Sequence, residues 1–139
     1  MGEETRLTKL PTRVSGTTPG SSPYTVTRYM DSKDLQEVLM WSRMELTLRV
    51  FGLETNTSSV RVYVETSMYS ESEDSSAWVI VVDFGAVTTG NTYVSMVTAP
   101  PAAGSVTLLR YVRWRAVLTG SGATVSVGAT FEILGVGRQ

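Results

Sequence analysis

The chain of 139 residues contains no cysteine and no histidine. Without cysteine it has no disulfides, no thiolate metal ligands and no cysteine nucleophile. Without histidine it lacks the most frequent general base and the most frequent metal ligand, and a serine–histidine–acid triad is impossible. The two absences predict a protein that is not an enzyme and that has neither a cofactor nor a metal centre.

Long apolar runs and a strong net charge are also missing. No run approaches the roughly 20 apolar residues that cross a bilayer, and the polar start MGEETRLTKL does not resemble a secretory signal, so no membrane partner is expected. The formal net charge is -1, so no global field attracts nucleic acid. Lysine is scarce relative to arginine, which suits ion pairs within or between subunits.

Alternation of apolar and polar residues is what the sequence has in quantity. It runs through Leu108–Leu134 in two segments, joined by the polar turn Thr119–Gly122. A period of two predicts β-strands with one buried face, and a hairpin of this length needs a second sheet to cover it. The sequence therefore predicts an antiparallel β-sandwich. The expected inward residues are Val112, Trp114, Ala116, Leu118, Val125, Val127, Ala129, Phe131 and Ile133.

Further strands are expected along the rest of the chain. Residues 31–37 are interpreted as a turn or one helical turn before a long strand over 38–51, and a helix through the whole stretch is the alternative. The segment 77–84 is almost continuously apolar, which predicts a central strand covered on both faces. The other predicted strands are 23–30, 58–66 and 92–98.

Seven or eight strands fit a jelly roll, an immunoglobulin-like sandwich or another Greek-key sandwich. The long strand and the segment before it favour a jelly roll. We divide the chain into an extended arm or disordered tail (1–22), the β-sandwich (23–134) and a C-terminal tail (135–139). The arm is either disordered or ordered against a neighbouring subunit.

Basic residues of the arm and of the strands are the candidate interface. Arginines interleaved with aromatic residues also suit nucleic acid, but the acidic overall balance favours ion pairs with another chain. The predicted partners are therefore further copies of this protein and other proteins of an assembled particle. The candidate interface residues are Arg6, Lys9, Leu10, Arg13, Arg43, Arg113 and Arg115.

Exposed aromatic residues on a sandwich can instead form a platform on which sugar rings stack. The main candidates are Trp41, Tyr63 and Trp78, with Tyr93 and Trp114 also considered. For each of them the alternative is packing in the core or between the sheets. The acidic loop Glu71–Asp74 is interpreted as a solvated loop, with a hard cation such as calcium as the alternative.

Two resemblances bear on function. The segment LLRYVRWRAVLTG, followed by an alternating strand, resembles the penultimate strand of discoidin-type and other carbohydrate-binding jelly rolls. The whole layout, with a polar arm and a body rich in threonine, serine, valine and glycine, is similar to small β-sandwich structural proteins of tailed bacteriophages. The second resemblance implies a capsid, decoration or tail component of a virion that forms symmetric oligomers. The first implies a carbohydrate-binding module, expected outside the cell.

Overall fold

The computed structural model describes residues 2–8, 11–70, 75–98 and 108–139, and their fold is all-β. Two short 3-10 turns, Ser32–Asp34 and Ser75–Ala77, are the helical elements of this part of the chain. The strands are β1 (Gly2–Arg6), β2 (Thr12–Thr17), β3 (Thr25–Tyr29), β4 (Gln36–Glu37), β5 (Arg43–Leu53), β6 (Thr57–Ser67), β7 (Val79–Val87), β8 (Thr92–Val97), β9 (Tyr111–Gly120) and β10 (Ser126–Arg138).

The strands form two facing antiparallel sheets with jelly-roll order. Sheet A runs β1-β10-β5-β8, with β2 also paired to β10, and sheet B runs β3-β9-β6-β7, with β4 also paired to β9. The pairs β2–β10, β3–β9, β5–β8 and β6–β7 are nested, each inside the one before it in the sequence. This is the arrangement of a jelly roll, and the predicted fold class is confirmed.

The core lies between the sheets and is formed by the predicted inward positions. In β5 the residues Met44, Leu46, Leu48 and Val50 are at most 2% exposed. Strands β6, β9 and β10 contribute Val60, Val62, Val64, Val112, Ala116, Leu118, Val127, Ala129, Phe131 and Ile133. The ring of Trp114 in sheet B meets Phe131 in sheet A edge-to-face, with centroids 5.2 Å apart. This contact joins the two layers near their centre.

The predicted hairpin over Leu108–Leu134 is wrong in its pairing, although its alternation is right. β9 lies in sheet B and β10 lies in sheet A, so the connection after Gly120 crosses from one sheet to the other. Thr124 takes a positive φ of 56° in this connection. Two strands whose apolar sides both face one core show the same alternation whether they are neighbours or lie in opposite sheets.

Two other predicted strands change place or length. β5 begins at Arg43 rather than at residue 38, because the preceding residues form a loop in which Leu39 and Met40 are exposed. The predicted turn at 31–37 contains a 3-10 turn, in which the side chain of Asp31 accepts a hydrogen bond from the backbone N–H of Lys33. β7 is an edge strand of sheet B instead of a central one, and Val79 and Ile80 are each 43% exposed.

The ends of the chain belong to sheet A. β1 and β2 both pair with β10 of the same chain, so this part of the predicted arm packs on its own domain. β10 continues to Arg138, which places most of the predicted C-terminal tail in a strand. Lys9, Leu10 and the acidic loop Glu71–Asp74 lie outside the described residues.

Candidate functional site

The outer face of sheet A carries parallel rows of side chains, and two neighbouring rows form the candidate site. Because Met44, Leu46 and Leu48 point into the core, their neighbours on β5 point outward. The strand register aligns these neighbours with residues of β1, β10 and β8. The first row is Arg6, Leu134, Thr47 and Ser95, and the second is Glu4, Val136, Glu45 and Val97.

These two rows line an open groove with a volume of about 1010 Å³. Leu134 and Val136 are half-buried in its floor, next to Thr47. The hydroxyls of Thr47 and Ser95 lie 3.0 Å apart and share a hydrogen bond. Glu4 and Arg6 stand at the β1 side, and Val97 at the β8 side. The groove therefore combines an apolar floor with hydrogen-bonding groups along its sides.

The groove carries charges that compensate one another. Glu45 pairs with Arg138 at 3.1 Å and with Arg43 at 3.8 Å. The hydrogen bond from Arg138 holds the pKa of Glu45 below its ordinary value, despite the opposing effect of desolvation. At the other side Glu4 and Arg6 have opposite signs. The groove therefore presents charges of both signs rather than a field of one sign.

An aromatic platform lies beside the first row. The guanidinium of Arg49 stacks on the ring of Phe51 at 4.1 Å and on the ring of Tyr93 at 5.1 Å. Register places Glu132, Arg49 and Tyr93 in the next row of the same face. Tyr93 is 62% exposed. Of the aromatic residues considered from the sequence, Tyr93 is the one whose ring is most open to a ligand.

The three main candidates for sugar stacking are placed differently. Trp78 is buried, and its ring covers Arg113 at 4.6 Å, so it cannot serve as an exposed platform. Trp41 packs over Gly137, where an added Cβ would overlap its ring. Tyr63 lies on the outer face of sheet B, half-buried, with Arg115 over its ring at 4.2 Å. Trp114 is in the core, as described above.

Arg113 does not fit the predicted interface. Its side chain is fully buried, and it pairs with Glu65 of the same chain at 2.8 Å. Arg115 binds the other carboxylate oxygen of Glu65 at 3.1 Å. A buried arginine that already has a carboxylate partner is not available to a second subunit. The prediction that Arg113 pairs with another chain is therefore wrong.

Among the described residues, the candidates Arg6, Arg13 and Arg43 lie on the surface. Arg13 makes two hydrogen bonds to Glu54, at 2.8 and 2.6 Å, across strand β10. This contact raises the pKa of Arg13 and lowers the pKa of Glu54. Arg43 pairs with Glu45, and Arg6 lines the groove. Arg13 and Arg43 thus pair with acidic residues of the same domain, and the sequence alone does not distinguish such pairs from contacts between chains.

No cluster of three or more metal-ligating side chains occurs among the described residues. In the same part of the chain, no helix is long and apolar enough to cross a membrane.

No family model and no curated protein matches this sequence. A solved structure titled "CBM4 structure and function" is similar to the chain over 86% of its length and over 77% of the other chain. The two share 17% sequence identity, with a TM-score of 0.46.

Proposed function

We propose that this domain binds a neutral polysaccharide chain along the groove of sheet A and does not change it chemically. The observation that carries the proposal is the groove itself, with its apolar floor and its hydrogen-bonding sides. A volume of about 1010 Å³ is at the upper end of ordinary ligand sites. An open groove on one sheet suits an extended polymer better than a small molecule enclosed on all sides.

The chemistry of the groove matches that of a sugar chain. A sugar ring has apolar C–H faces and a rim of hydroxyl groups, and it stacks on aromatic rings such as that of Tyr93. Leu134 and Val136 offer apolar contact, while Thr47, Ser95 and Arg6 offer hydrogen bonds. The presence of charges of both signs favours an uncharged chain over a polyanion. The exposed face of Tyr93 extends the contact beyond the groove.

The carboxylate of Glu45 is better suited to binding than to hydrolysis. A general acid in a glycosidase needs a raised pKa so that it carries a proton near neutral pH. The pKa of Glu45 is instead lowered, because Arg138 hydrogen-bonds to it. Glu45 is therefore ionised at neutral pH and can accept hydrogen bonds from sugar hydroxyls.

A glycan array followed by isothermal titration calorimetry tests the proposal. We expect binding to a neutral polysaccharide, weakened about tenfold or more by Tyr93→Ala, which removes a stacking surface. Tyr63→Ala is the matched control, since Tyr63 is an aromatic residue on the outer face of the other sheet. We expect this control to keep the affinity of the unchanged protein. Failure to bind any glycan, or equal losses in both variants, would refute the proposal.

We keep a structural protein of a virion as a second proposed function. It is favoured by one feature, the uncharged strand β8 at the edge of sheet A, which pairs with β5 alone among the described strands.

A further inference from the structure

We propose that two copies of this chain associate through strand β8, so that sheet A continues from one copy into the other. In the described part of the chain β8 pairs with β5 alone, and its other side is open. An open strand edge carries unpaired backbone groups and is a template for another strand. The side chains of Tyr93, Met96 and Val97 are 62%, 38% and 49% exposed along this edge.

The other edges of the sandwich are protected and β8 is not. Charged side chains, short strands and bulges are the usual means of preventing edge pairing. β7 carries Asp83 and has two irregularities in its register with β6. The sequence of β8 is TYVSMV, without charge or proline, and its register with β5 is regular. On the opposite edges β1, β2, β3 and β4 each contain a charged residue.

The backbone of β8 presents alternate residues to its open side. Thr98 donates its N–H to the carbonyl of Met44 at 2.9 Å. Because bonded and non-bonded pairs alternate along an antiparallel ladder, Val94 and Met96 also direct their backbone groups to β5. Tyr93, Ser95 and Val97 direct theirs outward. This assignment makes Thr47 and Ser95 a non-hydrogen-bonded pair of the ladder. The 3.0 Å distance between their hydroxyls agrees with it, since side chains approach more closely at non-bonded pairs.

A second copy is the occupant that this edge fits best. Antiparallel pairing about a two-fold axis places β8 of one copy opposite β8 of the other. Because β8 has no charged side chain, no like charges face each other across this contact. With Ser95 on the axis, Tyr93 lies opposite the partner's Val97, and Val94 lies opposite the partner's Met96. This register pairs apolar residues with apolar residues. It also joins the outward backbone groups in about six hydrogen bonds.

The contact is small, so the dimer is expected to be weak. A six-residue strand is well below the roughly 20 to 30 residues that each partner gives to a standard interface. Sedimentation velocity of the full chain from roughly 10 µM to 1 mM should therefore show a monomer that becomes a dimer as concentration rises. A chain that stays monomeric over this whole range would overturn the proposal.

Substitutions at Ser95 and Val97 locate the contact. Ser95→Pro removes an outward N–H, which an edge strand tolerates because β5 does not use it, and it should abolish the dimer. Ser95→Ala keeps the N–H and should keep the dimer. Val97→Lys places charge on the edge and should also give a monomer. Dimer formation that is unchanged in Ser95→Pro or Val97→Lys would show that another surface is responsible.

A cross-linking measurement does not depend on the folding of the proline variant. The chain has no cysteine, so Ser95→Cys introduces a single thiol close to the proposed two-fold axis. Paired positions on neighbouring strands lie within the Cα separation that a disulfide spans. Mild oxidation should therefore give a covalent dimer. Ser121→Cys, on an exposed turn of the connection between β9 and β10, is the control and should react far more slowly. Equal rates for the two variants would contradict the proposal.

Discussion

Arg113 is fully buried on the outer side of sheet B, where a strand residue would normally meet solvent. Three contacts hold it there. Its Nε donates to Glu65 at 2.9 Å, and its guanidinium lies between the rings of Tyr29 at 4.5 Å and Trp78 at 4.6 Å. Burying a charge is costly unless it is paired and hydrogen-bonded. The carboxylate of Glu65 is therefore expected to be essential to the stability of this cluster.

Replacing Glu65 with alanine should destabilise the fold strongly. The change leaves Arg113 as a buried charge without its carboxylate and removes the partner of Arg115, with an expected loss of about 3–5 kcal/mol. Urea unfolding followed by tryptophan fluorescence measures the effect. Glu54→Ala is the control, because the Arg13–Glu54 pair is exposed and should contribute far less. Similar midpoints for the two variants would show that the buried pair is not a main stabilising contact.

For individual residues, the alternation in the sequence distinguishes side chains that point into the core from side chains that point outward. It does not reveal which outward side chains are covered by another segment of the chain. The alternation predicts that the side chains of Arg113 and Glu65 point outward from the sheet, yet both residues are buried. The covering residue, Trp78, lies on the segment before β7 and comes from a distant part of the chain. Tyr93, by contrast, is outward and remains exposed. Alternation cannot distinguish these two outcomes, because they depend on where a neighbouring loop passes.

β10 is the element on which sheet A is built, since it pairs with β1 and β2 on one side and with β5 on the other. Its C-terminal half contains Gly135 and Gly137, where side chains of neighbouring elements approach closely. A Cβ at Gly135 would lie 2.7 Å from the carbonyl oxygen of Glu45 and 2.6 Å from the side chain of Leu46. This carbonyl is part of the backbone of β5, which pairs with β10, so it cannot move away as the end of a flexible side chain can.

Gly135→Ala is therefore expected to destabilise the protein by about 1–3 kcal/mol, as overpacking does elsewhere. Chemical denaturation gives the free energy of unfolding. Gly122→Ala is the matched control, because nothing lies within 4 Å of an added Cβ there. The control should be neutral or slightly stabilising, since alanine restricts the unfolded chain. A neutral Gly135→Ala would mean that β10 and β5 can separate at low cost.

Strand pairing is the part of the fold that the sequence predicts least well. The alternation of β9 and β10 gives both strands and their inward faces, but they lie in opposite sheets rather than in one hairpin. The apolar run of β7 suggests a central strand, whereas β7 is an edge. Within the run Val82 and Phe84 are buried, whereas Val79 and Ile80 are exposed, so apolar residues in succession do not show that both faces are covered. The groove is not predicted from the sequence either, because it is formed by four strands that are distant in sequence and whose pairing the alternation does not give.

The two proposals are geometrically consistent across the whole molecule. The row that contains Arg6, Leu134, Thr47 and Ser95 crosses sheet A from β1 to β8. A two-fold axis at Ser95 would continue this row into the same row of a second copy. The groove would then extend over both subunits, which would lengthen the site available to a polymer. Nested pairing brings the first and last strands together, so that one face of one sheet collects residues from both ends of the chain.

Ion pairs between arginines and carboxylates should make the stability of the whole domain fall in acid. The pKa values of Glu45, Glu54 and Asp83 are lowered, in each case first by a hydrogen bond from an arginine. A lowered folded-state pKa contributes stability above the unfolded value, and this contribution is lost as pH falls through the folded value.

The chain has no histidine, so no side chain with an ordinary pKa titrates between pH 5 and 8. The thermal midpoint should be nearly constant over that range and should fall below the ordinary carboxyl values of 4.5 and 3.8. Differential scanning calorimetry from roughly pH 2 to 8 checks this. The variant Glu45→Gln, Glu54→Gln, Asp83→Asn should show a shallower acid decline. A midpoint that changes mainly near neutral pH would show that other groups control stability.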